Sequence, residues 1–241
     1  MLDAWQEPPI LLETPDYLVA GKPPGMETVS QDGGRELTSL LRQQRAEPGL
    51  RPVHRLDRDT SGAQLFAKTP EAEAELTRLF RERLVGKTYL ALCLGVPRNR
   101  TGVVNRRLSE WDGGRRPVRV VKKGGLEAAT AYEVLTGADL PAEGLRISLV
   151  AFKPHQGRTH QIRVHAAAVG YPILGDDQYG DRTANKLVRD MLAIRRQMLH
   201  SRRLSFPWNG KTAGAVCPLA PDMAAAAEKA FGPLDALLHA R

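Results

Sequence analysis

The stretch Val53–Gly62, VHRLDRDTSG, places two acids, two arginines, a histidine and two hydroxyl side chains within ten residues. It is followed by Ala63–Lys68, AQLFAK, whose apolar residues predict a strand of the core. A solvated turn would explain part of this charge. The charged residues that a turn does not explain raise the question of whether Asp57 or Asp59 takes part in catalysis.

The bulk composition is that of an ordinary globular protein, with 42% hydrophobic and 26% charged residues in 241. This length allows one large domain or two small ones. No apolar run approaches a membrane span, and the opening residues MLDAWQEPPI do not resemble a signal peptide. Cys93 and Cys217 form no CxxC motif and are predicted to be buried thiols, so we expect a cytoplasmic protein that binds no membrane.

The net charge is +8, and the basic residues are unevenly distributed. Nine Lys or Arg residues and two acids lie in 98–123, and seven Lys or Arg residues and one acid lie in 182–203. Such clusters suit a polyanion, because each neutralised phosphate releases counterions. A generally basic proteome would produce the same excess, so charge gives only modest support to nucleic-acid binding.

Hydrophobic periodicity predicts a mixture of strands and helices. The predicted strands cover 10–21 (two strands, separated at Pro15-Asp16), 63–68, 87–95, 116–121, 126–136, 144–152 and 197–206. The predicted helices cover 35–46, 70–84, 159–169, 184–196 and 221–230. Because strands outnumber helices and do not alternate strictly with them, we predict an α+β fold with a large, mixed, mostly antiparallel sheet and flanking helices.

The chain shows no internal repeat and no linker long enough to separate domains. We therefore expect one catalytic domain over residues 1–241, with its core at about 10–210 and a C-terminal helix at about 221–238. A hairpin at KKGG, Lys122–Gly125, is predicted to join the strands 116–121 and 126–136.

The sequence lacks the motifs that several kinds of chemistry require. Neither Gly86-Lys87-Thr88 nor Gly210-Lys211-Thr212 has the upstream glycine of a Walker phosphate loop. His160 and His165 lie five residues apart, a spacing that leaves them about 140° apart around a helix. They cannot share one ion from one helix face, so we expect no metal site.

A second polar stretch, KPHQGRTHQIRVH, covers Lys153–His165 and continues into GYPILGDDQYG. Arg158 and His160 lie at the start of a predicted helix, a position where free N–H groups and the macrodipole favour an anion. Arg163 follows three residues after His160, so both should project from one face. Its guanidinium can bind a carboxylate or a phosphate, although surface salt bridges are the better explanation of this stretch when it is taken alone.

Taken together and in this order, the two stretches resemble the RNA pseudouridine synthases, in the branch that modifies large-subunit ribosomal RNA and some transfer RNAs. The resemblance covers roughly residues 10–210. Three further segments share it: LVAGKPPGM (18–26), GKTYLALCLG (86–95) and MLHSRRLSFP (198–207).

Two positions depart from the family pattern. The family often has a histidine near the segment METVS (26–30), and commonly has one at Tyr171. Neither position is expected to be catalytic, so the departures concern fine substrate contacts. Many relatives also carry a small N-terminal RNA-binding module, which we do not expect before the first predicted strand of this chain.

The resemblance implies an isomerase that converts specific uridines in ribosomal or transfer RNA to pseudouridine. The N1–C1′ bond breaks, the uracil turns, and C5 bonds to C1′. No cofactor is expected, because the bonds exchanged are similar and no redox change occurs. The implied partner is an RNA stem-loop from which the target base is flipped into a pocket.

The resemblance also assigns the reacting groups. Asp57 matches the invariant aspartate of the family, and acts either as a nucleophile at C1′ or by removing a sugar proton. Arg163 matches the arginine that pairs with this aspartate, and a nearby guanidinium favours the ionised carboxylate. Tyr89 matches a tyrosine that lies against the target base. These residues are expected to meet in a central catalytic cleft.

Other residues are expected to contact RNA. Arg55 matches a side chain that enters the RNA helix where the base has left. His54, Thr60, Ser61 and Gly62 are expected to hold the loop, with Ser61-Gly62 as a tight turn. The predicted RNA-binding set is Arg55, His54, Arg58, Arg158, His160, Arg115, Arg116, Lys122 and Lys123.

Two other functions are compatible with the residues alone. Asp57 and Asp59 could form the carboxylate pair of a glycoside or nucleoside hydrolase. The resemblance assigns chemistry to Asp57 only, and Asp59 is then a hydrogen-bond acceptor in the loop. A non-catalytic RNA-binding protein is the other alternative, which the complete set of Asp57, Arg163 and Tyr89 disfavours. We expect a monomer.

Overall fold

The computed structural model describes residues 7–30, 36–114, 117–140 and 144–238, and it divides the chain into two compact units. The first unit comprises Met1–Thr88 and His200–Pro221, and the second comprises Tyr89–Leu199 and Asp222–Arg241. Each unit combines strands with helices.

The first unit contains a mixed sheet. Its elements are β1 (Ile10–Glu13), β2 (Tyr17–Lys22), α1 (Leu37–Arg45), β3 (Arg51–Pro52), β4 (Ser61–Ala67), α2 (Pro70–Arg81), most of β9 (Leu199–Trp208) and β10 (Lys211–Val216). The strand order is β1-β2-β4-β9-β10, with β3 also paired to β4. The β4–β9 pairing is parallel, and the other pairings are antiparallel.

Both faces of this sheet are covered, because adjacent residues of a strand point to opposite sides. Val19 and Leu65 pack in a cluster with the buried face of α2, whereas Leu18 and Phe66 pack in a cluster with α1. This arrangement explains why β2 and β4 are buried along their whole lengths. The helix α2 begins as predicted, because the Thr69 side chain accepts the Ala72 N–H.

The second unit contains an antiparallel sheet. Its elements are most of β5 (Gly86–Leu94), β6 (Thr101–Asn105), β7 (Ala129–Asp139), β8 (Arg146–Pro154), α3 (Gln161–Ala168), α4 (Arg182–Leu192), most of α5 (Pro221–Phe231) and α6 (Asp235–Leu238). The strand order is β5-β8-β7-β6.

The core of the second unit lies between this sheet and α3. Ala91 and Cys93 of β5 pack with Phe152 of β8 and with Ile162 and Ala166 of α3. Cys93 is fully buried, and burial raises the pKa of its thiol. In the first unit, burial raises the pKa of the Cys217 thiol to about 12. Both cysteines are free and buried, which confirms the prediction.

The predicted fold class is confirmed: an α+β fold with a large, mixed, mostly antiparallel sheet and flanking helices. The expectation of a single domain over 1–241 stays a prediction. The helix ends of α3 and α4 differ from the predicted ones by one to four residues. The strands β6 and β10 were not predicted.

Two details of the prediction were wrong. The segments on either side of KKGG do not form a hairpin, because Val120 and Leu126 each pair with Leu108. Leu84 does not belong to the buried stripe of α2, since the helix ends at Arg81 and Leu84 is 49% exposed.

The longest helix in the described ranges has 12 residues. None of the helices in this part of the chain has the length and apolar character needed to cross a membrane.

Candidate active site

The loop between β3 and β4, residues 53–60, is held by buried polar side chains of the first unit. The Leu56 N–H donates to Thr28 Oγ1 at 3.3 Å, and Gln64 Nε2 donates to the His54 carbonyl at 3.1 Å. Thr28 and Gln64 are themselves buried, and Thr28 donates to Gln64 Oε1 at 3.2 Å. The loop is therefore a fixed extension of the sheet.

Lys22 fixes the same loop from the end of β2. This side chain is fully buried, and Nζ donates to three backbone carbonyls: Pro23 at 2.8 Å, Met26 at 2.6 Å and Arg58 at 2.8 Å. The three acceptors match the three donors of an ammonium group. Lys22 thus joins the KPPGM turn to the residue that follows Asp57.

His54 has the contacts of a residue that holds the loop. Its Nε2 accepts the Leu65 N–H at 2.9 Å, and its ring stacks on Phe80 with centroids 4.8 Å apart. Burial, assisted by the positive charge of Lys87, lowers the pKa of His54 to about 3. The ring is therefore neutral at physiological pH, and a contact between His54 and RNA stays a prediction.

The charged side chains of this loop differ in exposure. Arg55 and Arg58 are exposed, whereas Asp57 is half-buried and its carbonyl accepts the Thr60 N–H at 3.0 Å. Arg58 Nε lies 3.5 Å from Asp59 Oδ1, and such an exposed ion pair contributes little to stability. The loop thus displays two cations beside Asp57.

The prediction that Ser61-Gly62 forms a tight turn is wrong. Both residues belong to β4, where Ser61 pairs with His200 and Gly62 pairs with Ser201 of β9. Glycine is required here because φ is +114° and a Cβ would lie 2.3 Å from the Ser201 carbonyl oxygen.

Tyr89 lies in the second unit, near the start of its section of β5, opposite Phe152 of β8. The side chain is half-buried and packs against the cluster that includes Ile162 of α3. Because Arg163 follows Ile162, the second unit brings Tyr89 close to the helix that carries Arg163.

Arg163 is held by Asp176, a partner that the sequence did not reveal. Nε donates to Asp176 Oδ2 at 2.7 Å and Nη2 donates to Oδ1 at 3.0 Å, in a bidentate pair. The arginine side chain is 10% exposed and the carboxylate is fully buried. Such a pair restricts the guanidinium to one orientation.

Backbone N–H groups of the turn after α3 also hold the Asp176 carboxylate in position. Oδ1 of Asp176 also accepts the N–H groups of Gln178 and Tyr179, at 2.9 Å and 3.0 Å. The Tyr179 ring lies against Arg163, whose Cζ is 5.0 Å from the ring centroid. This contact adds a cation–π interaction to the ion pair. Asp176 lies in the quoted stretch GYPILGDDQYG, but that stretch did not indicate that its carboxylate would bind Arg163.

Arg158 and His160, which lie at the predicted helix start, both form side-chain hydrogen bonds within the protein. His160 precedes α3 with a left-handed φ of 56°, and its Nδ1 lies 2.9 Å from the Tyr179 hydroxyl. The Gln161 N–H donates to the Arg158 carbonyl, and Arg158 Nε donates to the Glu127 carbonyl at 3.3 Å. His160 and Arg163 do meet, but at Tyr179 and not on a shared helix face.

His165 is a structural residue. It is fully buried, with Nδ1 2.9 Å from Thr130 Oγ1 and Nε2 2.9 Å from the Arg106 carbonyl, and burial lowers the pKa of its ring. Within the ranges that the structure describes, no group of three or more His, Cys, Asp or Glu side chains is arranged to hold a metal ion.

The predicted basic residues of the 97–123 region divide into two groups. Lys122 and Lys123 are exposed in a turn that follows Val121. Arg115 and Arg116 lie outside the described residues. The predicted pairing of Asp57 with Arg163 joins residues of different units and stays a prediction, as does the central cleft.

The chain is similar to known RNA pseudouridine synthases over most of its length. The family model described as RNA pseudouridylate synthase matches residues 16–168, more than half of the chain, and this range includes Asp57, Tyr89 and Arg163. An uncharacterized RNA pseudouridine synthase of Zymomonas mobilis is 36% identical over 190 residues, which are 76% of this chain and 83% of that protein.

Two further similarities extend over most of the chain. The ribosomal large subunit pseudouridine synthase C of Pasteurella multocida is 37% identical over 226 residues, 90% of this chain and 66% of that protein. The solved structure of human RNA pseudouridylate synthase domain containing 1 has a TM-score of 0.76 and 30% identity, and the match covers 98% of this chain and 94% of that one. The chain therefore belongs to the RNA pseudouridine synthases, a family of RNA-modifying isomerases.

Proposed function

We propose that this protein isomerises specific uridines of ribosomal or transfer RNA in the cytoplasm. The observation that carries the proposal is the loop VHRLDRDTSG, which lies inside the matched family range and is held in place by Lys22, Thr28 and Gln64. A similar protein named for the large ribosomal subunit supports ribosomal RNA as the substrate.

The reaction sets two physical demands. The N1–C1′ bond of the uridine breaks and a C5–C1′ bond forms, while C5 loses a proton and N1 gains one. Product and substrate are isomers, so the reaction consumes no co-reactant. The protein must supply a carboxylate beside the sugar, and it must keep the detached uracil from escaping.

We assign the carboxylate to Asp57. It acts as a nucleophile at C1′, or it removes a sugar proton so that the uracil leaves by elimination. Both routes require an ionised carboxylate at a fixed position. The hydrogen bonds on either side of Asp57, at Leu56 and at the Arg58 carbonyl, support this assignment because they fix the backbone around it.

Arg163 is assigned the role of partner to Asp57. The bidentate contacts with Asp176 hold the guanidinium in one orientation, which supports a fixed position for this partner. A guanidinium held along one edge limits where a second carboxylate can bind it.

The remaining residues would bind RNA. Tyr89 would lie against the uracil, and Arg55 would occupy the space in the RNA helix that the flipped base leaves. Exposed Arg58, Lys122 and Lys123 would bind phosphates, which sets affinity rather than the choice of uridine. Contacts with RNA are also proposed for His54, Arg158, His160, Arg115 and Arg116. We propose that one chain acts alone, as a single domain.

The test uses ribosomal and transfer RNA transcripts labelled with tritium at uridine C5. A synthase releases tritium while the base stays in the RNA chain, which is the expected result. Release of free uracil would identify a hydrolase, and binding without tritium release would identify a non-catalytic RNA-binding protein. Either of the last two results contradicts the proposal.

A further inference from the structure

The helix α4 carries three cations on one side, which form the basic face of this helix: Arg182, Lys186 and Arg189. All three side chains are exposed. Successive residues of an α-helix are rotated by about 100°, so these three positions lie within an arc of about 60°. They are separated along the helix axis by about 6 Å and about 4.5 Å, which places them in a row.

The basic face of α4 keeps its positive charge. Within the ranges that the structure describes, none of its three side chains forms an ion pair or a hydrogen bond. Asp190, the only acid in the sequence of α4, is exposed and lies about 40° around the helix from Lys186. By contrast, Arg78 of α2 contacts both Glu75 and Glu82. The basic face therefore presents a surplus of positive charge to solvent.

Another side of α4 is buried, and both ends of the helix are held. Its buried apolar residues are Ala184, Val188 and Leu192. At the start of the helix, the Asp181 side chain accepts the Ala184 N–H at 2.8 Å. After its end, the Ile194 N–H donates to the Val188 carbonyl at 3.3 Å. The basic face therefore has a fixed direction.

A buried side chain of α4 connects this helix to the candidate site. Asn185 Oδ1 accepts the Gly175 N–H at 2.8 Å, and Asn185 Nδ2 donates to the Asp176 carbonyl at 3.0 Å. The carboxylate of Asp176 in turn holds Arg163. Asn185 lies about 40° from Arg189 around the helix, so the basic face borders the side of α4 that contacts the Asp176 turn.

A row of cations along one helix suits a phosphodiester strand. Such a strand presents negative charges in series, and both arginine and lysine bind phosphate oxygens. A membrane-binding helix needs an exposed apolar side, whereas Ala184, Val188 and Leu192 of α4 are buried. Because the chain belongs to a family of RNA-modifying isomerases, RNA is the polyanion that fits this surface.

We propose that the basic face of α4 binds the sugar–phosphate backbone of the substrate RNA beside the target uridine. Arg182, Lys186 and Arg189 each contact one phosphate, and Asn185 keeps the helix next to the turn that holds Arg163. The inference rests on the proposed function, which places Arg163 at the target uridine, and extends it to the flanking nucleotides. These contacts set the affinity and the position of the strand, and they carry no sequence information.

The first experiment measures the affinity of the full chain for a ribosomal RNA stem-loop transcript as a function of salt. Lys186→Gln should reduce the slope of log affinity against log salt by about 0.7 to 0.9, because one phosphate contact is lost. Replacing all three residues of the basic face by glutamine should reduce it by about 2.1 to 2.7. The matched control is Lys229→Gln, at an exposed lysine of α5 in the same unit, which should leave the slope unchanged.

The second experiment locates the RNA strand. Cys93 and Cys217 are buried, so a cysteine introduced at the surface is labelled selectively. Lys186→Cys that carries an iron–EDTA group should cleave the backbone of the bound stem-loop within a few nucleotides of the target uridine. Lys229→Cys with the same group should not cleave at those nucleotides.

Two results would overturn the inference: a wild-type salt slope after all three replacements, or the same cleavage pattern from Lys186→Cys and Lys229→Cys. A chain that releases no tritium but cleaves bound RNA from Lys186→Cys alone would contradict the proposed function and leave the RNA contact of α4 standing. A catalytically active chain whose salt slope and cleavage pattern do not depend on α4 would contradict only the role of this helix.

Discussion

Removal of the Asp176 carboxylate should destabilise the protein strongly. Asp176 is fully buried, accepts two hydrogen bonds from Arg163 at 2.7 Å and 3.0 Å, and accepts two more from backbone N–H groups. Asp176→Ala leaves the arginine charge without this partner in a buried position. Breaking a buried pair on one side costs about 3–5 kcal/mol, which corresponds to a melting-temperature decrease of roughly 6–20 °C for a chain of this size.

Urea unfolding and thermal scans of purified variants measure this effect. The control is Asp177→Ala, at the exposed neighbouring acid, which should change the free energy of unfolding by less than about 0.5 kcal/mol. The double variant Arg163→Met/Asp176→Ala removes both charges together. It should be more stable than the sum of the single changes predicts, by about 1–3 kcal/mol.

The same variants test whether Asp176 affects the reaction. If the ion pair positions Arg163, Asp176→Asn should lower the single-turnover rate while RNA affinity is unchanged, and Asp177→Asn should be as active as the wild type. Additive stabilities in the double variant, or an Asp176→Ala protein as stable as its Asp177→Ala control, would refute the reasoning.

Three further changes have predicted outcomes. Lys22→Met removes three hydrogen bonds to carbonyls, including the Arg58 carbonyl, and should cost about 2–4 kcal/mol in urea unfolding; a neutral result would contradict the anchoring role. The pKa of His54 is lowered on folding, from 6.5 to about 3, so its contribution to stability is present above pH 6.5 and is lost as the pH falls towards 3. His54→Gln should therefore reduce the acid-side slope of stability by at most about 1.4 kcal/mol per pH unit, and an unchanged slope would exclude this assignment. Gly62→Ala should abolish soluble expression or cost several kcal/mol by melting temperature, because a Cβ would lie 2.3 Å from the Ser201 oxygen; a wild-type melting curve would rule out that close approach.

Periodicity predicted most of the regular elements of the fold, although it missed β6 and β10. The short apolar runs of β2 and β4 and the Thr69-Pro70 start of α2 predicted elements that the structure contains, because those patterns reflect local geometry. The pairing around KKGG was predicted wrongly because Leu108, buried against α3, determines which segments pair. That choice depends on tertiary packing, which no local pattern encodes.

At the candidate site, too, the sequence identified local segments but not the tertiary contacts that hold them. The stretch VHRLDRDTSG identified the loop, and the quoted GYPILGDDQYG contained Asp176 without indicating that its carboxylate would bind Arg163. The burial of Lys22 was equally hidden, because a lysine at a strand end is usually exposed, and its burial depends on two local carbonyls and on the distant carbonyl of Arg58. Partners for buried charges are tertiary facts and were found only in the structure.

The most direct test of the central claim is single-turnover tritium release from C5-labelled RNA by Asp57→Asn, with Asp59→Asn as the matched control two residues away. We predict that Asp57→Asn binds the RNA with wild-type affinity but releases no tritium, while Asp59→Asn releases tritium as the wild type does. Tritium release at the wild-type rate by Asp57→Asn would contradict it.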